Sequence, residues 1–474
     1  MTGSVLGTRA ANLVFYLVLA RWVGVEPFGM FVFALAFAGA AALIPDWGMN
    51  ELAVREVARD RRLAAHILAN GLALKGPLIL LTLAGTAVIL NALGYPRPVQ
   101  VAVYLAGGYF LAQSVESLFF SMFRAFEQMR YEAILSTCRD LSLTVAGLLL
   151  LLSGAGIPEV LLAYALIGTA SSLVSATVVC TRFVPLSCRL IDPGFALANL
   201  TRTALPFAVG NLLLIFYARH AILILQHFRG PAEVGWYGAA DKLIDAATVI
   251  PHIALAGLYP AFSRLATTSR RELEEAVATA CWGIAVIGLF LALATNALLA
   301  EPLVKFLYGS AFLPSVWVLR CLIWTLPFFF VARVILAFCA SIGRQRQANG
   351  VLGLALLFGV TGNLLAATPF GMRGVAVVTL ASGCLLCMMS LSVLAREIPL
   401  RRVTRVLPGL VAAGLASGLT TSILRSLGTP WVVNLIFTGV AYVVVLWTGR
   451  GLSEAERARW QGALVRFLHR AGAA

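Results

Sequence analysis

The sequence is short of charge. Only 12% of its 474 residues are Asp, Glu, Lys or Arg, where a soluble domain carries roughly 25%. Hydrophobic residues make up 60%, so the chain cannot cover a water-facing surface. That excludes a soluble globular protein. Long polar regions are also missing. The most polar stretches lie around 184–203 and at the C-terminal tail, and neither amounts to a soluble domain. There is no HExxH, no DxD in a loop and no Ser–His–Asp set, so no catalytic residues, metal site or cofactor are expected and the chain is not read as an enzyme. His66, His227 and His469 fall near span ends and read as ordinary polar residues. The eight cysteines form no framework. Cys138, Cys180, Cys281, Cys321, Cys339, Cys384 and Cys387 lie in or beside apolar runs, and Cys188 lies in a loop. Cys384 and Cys387 have CxxC spacing, but within "CLLCMM" they read as small packing residues.

What the chain has is long apolar runs. A helix needs roughly 20 residues to cross the hydrocarbon core. Runs of that length fall at 5–25, 28–50, 67–93, 99–123, 133–154, 158–181, 204–227, 234–260, 276–300, 313–340, 348–368, 373–395, 406–426 and 430–449. The expected fold is an all-α polytopic membrane protein with about fourteen transmembrane helices. The first run lacks a small-residue cleavage site and is expected to be a retained span rather than a signal peptide.

The net charge of +15 is arranged for a membrane and not for nucleic acid. With a cytoplasmic N-terminus, the inner loops collect clusters such as Arg55, Arg59, Arg61 and Arg62, or Arg401, Arg402 and Arg405. The outer loops collect only Arg97, Arg229, Lys305, Arg373 and Arg425. This asymmetry fixes orientation and places both termini in the cytoplasm.

The chain also contains itself. At a constant offset of 206, "LARWVGVEPFGMFVFALAF" (19–37) aligns with "LQHFRGPAEVGWYGAADKL" (225–243). Gly24 falls on Gly230, Gly29 on Gly235, Phe31 on Tyr237, Ala34 on Ala240 and, further on, Pro45 on Pro251. Six spans separate the copies, so both halves keep the same orientation and form parallel repeats. The expected domains are a six-helix lobe over 1–200, a second over 201–398, and two extra helices with a basic tail over 399–474. Between such lobes a cleft near the midplane is expected, where transporters of this plan bind substrate.

"YGAADKLIDAATVIPH" (237–252) carries charges that a bilayer-facing helix excludes, since each costs about 2.5–3.5 kcal/mol at the bilayer centre. On a helix, Tyr237, Asp241, Asp245, Thr248 and His252 share one stripe, with Lys242 to its side. Arg9, Asn12 and Tyr16 share a face of the first span. Asn211, Arg219 and His220 lie on its repeat, and Arg219 is chosen over its neighbour His220. Within the spans, Arg9, Arg21, Lys75, Arg139, Arg219, Lys242, Arg320 and Arg333 outnumber Asp46, Glu116, Asp140, Asp241 and Asp245. An excess of cations suits an anionic ligand such as a phosphate group. The candidate substrate-binding residues are Arg9, Asn12, Arg219, Lys242 and Arg333. Lys242 has a competing reading as local counter-ion to Asp241 or Asp245. The candidate ion-coupling carboxylates are Asp46, Glu116, Asp241 and Asp245.

Five segments resemble a known family: "ARWVGVEPFGMFVFA" (20–34), "PDWGMNELAVREVA" (45–58), "VGWYGAADKLIDAATVIPHIALAGLYPAFSRLA" (234–266), "ASIGRQRQ" (340–347) and "NLLAATPFGMRGVAVVT" (363–379). They are similar to bacterial oligosaccharide flippases of the Wzx type, polysaccharide exporters of the multidrug/oligosaccharidyl-lipid/polysaccharide superfamily. The resemblance implies two six-helix lobes in a V plus two C-terminal helices, and a cavity lined by the first, second, seventh and eighth spans. It implies transfer of an undecaprenyl-diphosphate-linked oligosaccharide to the periplasmic leaflet of the bacterial inner membrane by alternating access. The implied partners are that lipid-linked oligosaccharide, membrane lipids, and the polymerase and glycosyltransferases of polysaccharide synthesis. One departure is that the first span begins almost at Met1, where members usually carry a longer basic lead. A multidrug antiporter or a peptidoglycan-precursor flippase of the same superfamily would share the topology. The cation excess argues against a carrier of cationic drugs and does not separate the two flippases.

Overall fold

The computed structural model describes residues 2–46, 48–184, 190–192, 194, 201–399 and 407–448, with side chains omitted at 2–10, 201–207, 256, 407, 447 and 448. Among the described residues the chain is helical, without strands. In order these are α1 (Thr2–Val23), α2 (Val25–Ala41), α3 (Leu43–Asp46), α4 (Met49–Arg59), α5 (Ala64–Ala92), α6 (Arg97–Ala125), α7 (Met129–Leu152) and α8 (Ile157–Arg182). There follow α9 (Thr201–Arg229), α10 (Pro231–Ala247), α11 (Val249–Thr268), α12 (Arg270–Ala294) and α13 (Ala300–Leu307). The last are α14 (Ser315–Leu322), α15 (Thr325–Ser341), α16 (Gln345–Leu394), α17 (Leu407–Ser426) and α18 (Trp431–Thr448). Among the described residues each of the fourteen expected runs is mostly helical. Among the described residues eight helical stretches are long and apolar enough to cross a membrane, or nine if the bent pair α14–α15 counts as one span. The expectation of an all-α polytopic membrane protein stands.

Two expected spans break at places related by the repeat. The runs at 28–50 and 234–260 each break, after Ala41 and after Ala247. The cause is proline. A proline inside a helix gives no N–H to the carbonyl four residues back, and its ring clashes with that carbonyl. Four residues before Pro45 is Ala41, and four before Pro251 is Ala247. The stripe expected over Tyr237–His252 is interrupted for the same reason. Thr248 sits at the break, and His252 on α11 is exposed, its Nδ1 2.7 Å from the Thr248 carbonyl. A further break divides α16 at Gly371, whose φ is 57°, between the expected spans 348–368 and 373–395.

The repeat is visible at residue level. α2 and α10 have the same bounds at an offset of 206. Gly24 and Gly230, which precede them, both have φ of 81°, a left-handed conformation that side chains disfavour. Phe31, Ala34, Tyr237 and Ala240 are all buried. The helices meet reciprocally. A Cβ on Gly29 would run into the carbonyl of Pro231, and one on Gly235 would run into that of Val25. Residue 231 is the counterpart of residue 25, and 235 of 29. A contact in which i meets j while j meets i is the mark of two-fold symmetry. Val32 packs against Gly238, its own counterpart, with 3.0 Å between its Cγ1 and the place of a Cβ.

The contacts gather the chain into two compact units: residues 1–242, 307–315 and 352–378 in one, and 243–306, 316–351 and 379–474 in the other. The core of the first holds an aromatic group. Phe15, Phe31, Tyr109 and Tyr164 lie with ring centroids 5.5–6.3 Å apart, a spacing that favours edge-to-face and tilted pairs. Gly147 admits the Phe15 ring. In the second unit Phe262 packs on Phe338 and Phe290 on Tyr442, whose hydroxyl donates to the Val286 carbonyl at 2.8 Å.

Candidate functional site

Helical period puts a polar residue on a face, and packing decides what the face meets. In the first unit α1, α2, α6, α9 and α10 enclose a cavity of about 220 Å³. Its walls are mostly apolar, with Val32, Leu35 and Ala36 from α2, Ile215 from α9 and Phe110 from α6. Gly39 has no side chain to offer, and the Phe110 ring lies 3.3 Å from where a Cβ would stand. Three polar residues reach this space: Tyr16 from α1, Arg219 from α9 and Lys242 from α10.

The charges are arranged in two ways. Arg219 Nη1 lies 3.6 Å from Asp241 Oδ2, and both side chains are partly buried. Lys242 Nζ lies over the Tyr16 ring, 4.5 Å from its centroid. A π face stabilises a cation by about 0.5–2 kcal/mol but carries no net charge to cancel it. Asp241 thus faces Arg219, while the sequence named Lys242 as a competing counter-ion to Asp241 or Asp245. His220 turns away from the cavity. It is buried, with Nδ1 2.9 Å from the Tyr217 carbonyl and 3.1 Å from the Phe216 carbonyl. Tyr237 is 2% exposed, so it belongs to the core.

The other candidate residues are placed elsewhere. Arg9 lies on α1 where side chains are outside the described residues. Asn12 is half-buried one turn from Tyr16 and does not line the cavity. Asn211 donates to Glu51 Oε1 at 3.2 Å. Arg333 is on α15 in the second unit, and its buried Nε has no acceptor in reach among the described residues. Asp245 is on α10, where its carbonyl accepts from the Thr248 hydroxyl at 2.7 Å.

Asp46 and Glu116 sit in separate networks. Lys75 of α5, 1% exposed, donates to Asp46 Oδ1 at 2.8 Å, Ser114 Oγ at 2.8 Å and the Pro45 carbonyl at 3.1 Å. Its three N–H bonds are thus all used at the Pro45 break. Glu116 of α6 is wholly buried and accepts from Arg139 of α7, from Ser171 at 2.5 Å and from Ser175 at 3.1 Å. Asp46, Glu116 and Asp241 therefore each face a cation from another helix. Removing one member of a buried pair costs about 3–5 kcal/mol, whereas removing both can be nearly neutral. Lys75→Ala should lower thermal stability in detergent by about that amount, and Lys75→Met with Asp46→Asn should recover most of it. Equal melting of the single and double variants would show that Lys75 does not hold the break.

Sequence reasoning missed Glu233. Its carboxylate accepts the Met372 N–H at 2.6 Å and pairs with Arg229 at 3.0 Å. It thereby caps the helical segment that restarts after Gly371. The only sequence signal is "GMRG" (371–374), which marks the turn without naming the partner.

Known structures share this architecture. The lipid II flippase MurJ, in an inward closed conformation, superposes with a TM-score of 0.74 over 94% of this chain and 97% of that one, at 11% identity. An inward-facing multidrug resistance MATE family transporter of the MOP superfamily gives 0.65 over 81% and 92%, at 17% identity. The Vibrio cholerae MATE transporter VcmN, in its bent form, gives 0.51 over 85% and 96%, at 17% identity. Such low identities establish the fold alone. No curated protein sequence matches the chain. The model of one family, described as polysaccharide biosynthesis protein, matches residues 1–266, more than half of the sequence. With that match and this fold, the chain belongs to the polysaccharide biosynthesis protein family and is built like the MurJ and MATE transporters of the MOP superfamily.

Proposed function

We propose that this protein flips an undecaprenyl-diphosphate-linked oligosaccharide from the cytoplasmic to the periplasmic leaflet of the bacterial inner membrane. It does so by alternating access, for cell-surface polysaccharide synthesis. The observation that carries this reading is the cavity that joins Arg219 and Lys242 in an apolar surround. A diphosphate brings more than one negative charge, and a poorly hydrated space rejects charge left uncompensated. Two cations answer that need, and the planar fork of Arg219 suits phosphate oxygens. Arg9, Asn12 and Arg333 serve the same ligand on its path.

Asp241 gives the site its switch. Without ligand it holds Arg219, and an arriving phosphate competes for the same guanidinium. A coupling ion or proton taken up by Asp241 would release Arg219 to the ligand. Asp46, Glu116 and Asp245 are the further candidates for coupling. The repeating lobes are residues 1–200 and 201–398, with 399–474 as an addition, and both termini are cytoplasmic. A polysaccharide polymerase and glycosyltransferases are the proposed working partners.

The test is deletion of the gene. Surface polysaccharide should disappear and its lipid-linked repeat unit should accumulate, inaccessible to a membrane-impermeant glycosidase until the cells are opened. Hypersensitivity to cationic drugs with normal polysaccharide would instead support the antiporter reading. Loss of viability with accumulated peptidoglycan precursor would support the other flippase.

A further inference from the structure

The first unit has a second, larger pocket, about 580 Å³, at the end that carries Gly24 and Gly230. The loop charges assign this end to the outer face. The start of α2, the turn between α5 and α6, and the junction of α9 with α10 enclose it. Its size lies within the roughly 300–1,000 Å³ usual for small-molecule sites. Its chemistry is unlike that of the cationic cavity. Glu26 offers an exposed carboxylate. Tyr95 and His227 stand edge to face, ring centroids 6.2 Å apart. Gln226 is 4% exposed, and among the described residues no donor reaches its buried Oε1. The guanidinium of Arg229 is engaged by Glu233 at 3.0 Å.

Each feature narrows the occupant. An acyl chain would bury Glu26 and the Gln226 amide against hydrocarbon, which buried polar groups do not tolerate without partners. An anionic group would meet Glu26, while the one guanidinium present is already paired. A sugar ring fits both demands. Its C–H face packs on aromatic rings, and its hydroxyls donate to a carboxylate and to an amide oxygen that lacks a donor. Burial pushes the Tyr95 phenol up to about 12, so it remains a neutral O–H donor for a ring or hydroxyl oxygen.

We propose that this pocket is a saccharide subsite that holds an uncharged sugar of the cargo at the outer face, through Glu26, Tyr95, Gln226 and His227. The inference rests on the flippase reading. It separates the recognition of the cargo's two ends, with phosphate at the cationic cavity and glycan here.

The test uses the full chain in lipid nanodiscs. The probe is the free repeat-unit oligosaccharide released by hydrolysis from the producing organism's surface polysaccharide. Saturation-transfer difference NMR should show binding to the wild type. Gln226→Leu, nearly isosteric, and Glu26→Gln, at an exposed position, should each weaken it at least fivefold, while Gly85→Ala should not. Binding of equal strength in the first two variants would overturn the proposal. Gene deletion, scored separately, tells its failure from that of the flippase reading. Wild type that binds no oligosaccharide, although deletion abolishes export, overturns the subsite alone. No binding with export intact after deletion overturns both.

Discussion

Arg219→Ala should reduce polysaccharide export to background in a deletion strain, with the variant still present in the membrane at normal abundance. Lys242→Ala should do the same. The two residues meet in one cavity, so on the proposed function either change leaves part of the diphosphate without a cation. A buried charge stripped of its partner costs about 3–5 kcal/mol. At about 1.4 kcal/mol per factor of ten, that is roughly two to four orders of magnitude in transport rate. Arg219→Lys keeps the charge but loses the planar fork, and should retain partial export. Asp241→Asn releases Arg219 from its 3.6 Å contact and should bind ligand while releasing it poorly. The counter-ion reading of Lys242 makes a different forecast, in which Asp241→Asn or Asp245→Asn rescues Lys242→Ala. Full rescue would remove Lys242 from the substrate site and leave Arg219 to be judged alone.

Gly29→Ala and Gly235→Ala should be damaging to the same degree, although the two positions lie 206 residues apart. A single methyl at either runs into backbone carbonyl of the opposite hairpin, and backbone cannot rotate away as a side chain can. Overpacking of this kind costs about 1–3 kcal/mol even where side chains can adjust. Each variant should melt several degrees below the wild type in detergent and support little export. Gly85 is the control, since nothing lies within 4 Å of the place of its Cβ. Alanine there should be neutral or slightly stabilising, because a helix interior favours it over glycine by about 1 kcal/mol. If Gly29→Ala matched Gly85→Ala in melting and export, the reciprocal contact would have no part in folding or transport.

The spans were legible because hydrophobic length is a local property. The repeat was legible because a turn that needs glycine at φ 81° keeps glycine in both copies. Even the unexpected breaks after Ala41 and Ala247 had a visible cause, for Pro45 and Pro251 were already in the alignment. Pairing was not legible. Lys75 and Asp46 are 29 residues apart, Arg139 and Glu116 are 23 apart, and Met372 and Glu233 are 139 apart. Helical period could place each on a face, and it carried no information about which helix that face would meet. Tyr237 is the clearest case. Spacing grouped it with Asp241, yet its counterpart Phe31 indicated the core, and it is buried there.

The contact of Val32 with Gly238 sits on the symmetry axis itself. Two identical chains related by that axis would have to present the same residue to each other at this point. Valine against valine would collide, and glycine against glycine would leave a gap. A knob facing a hole is forbidden to a perfect dimer at its own axis. One polypeptide that carries both halves escapes this rule, because residues 32 and 238 are separate codons free to differ. This knob-in-hole contact between α2 and α10 is thus open only to a fused duplicate, and a version of this protein assembled from two copies of either half could not reproduce it.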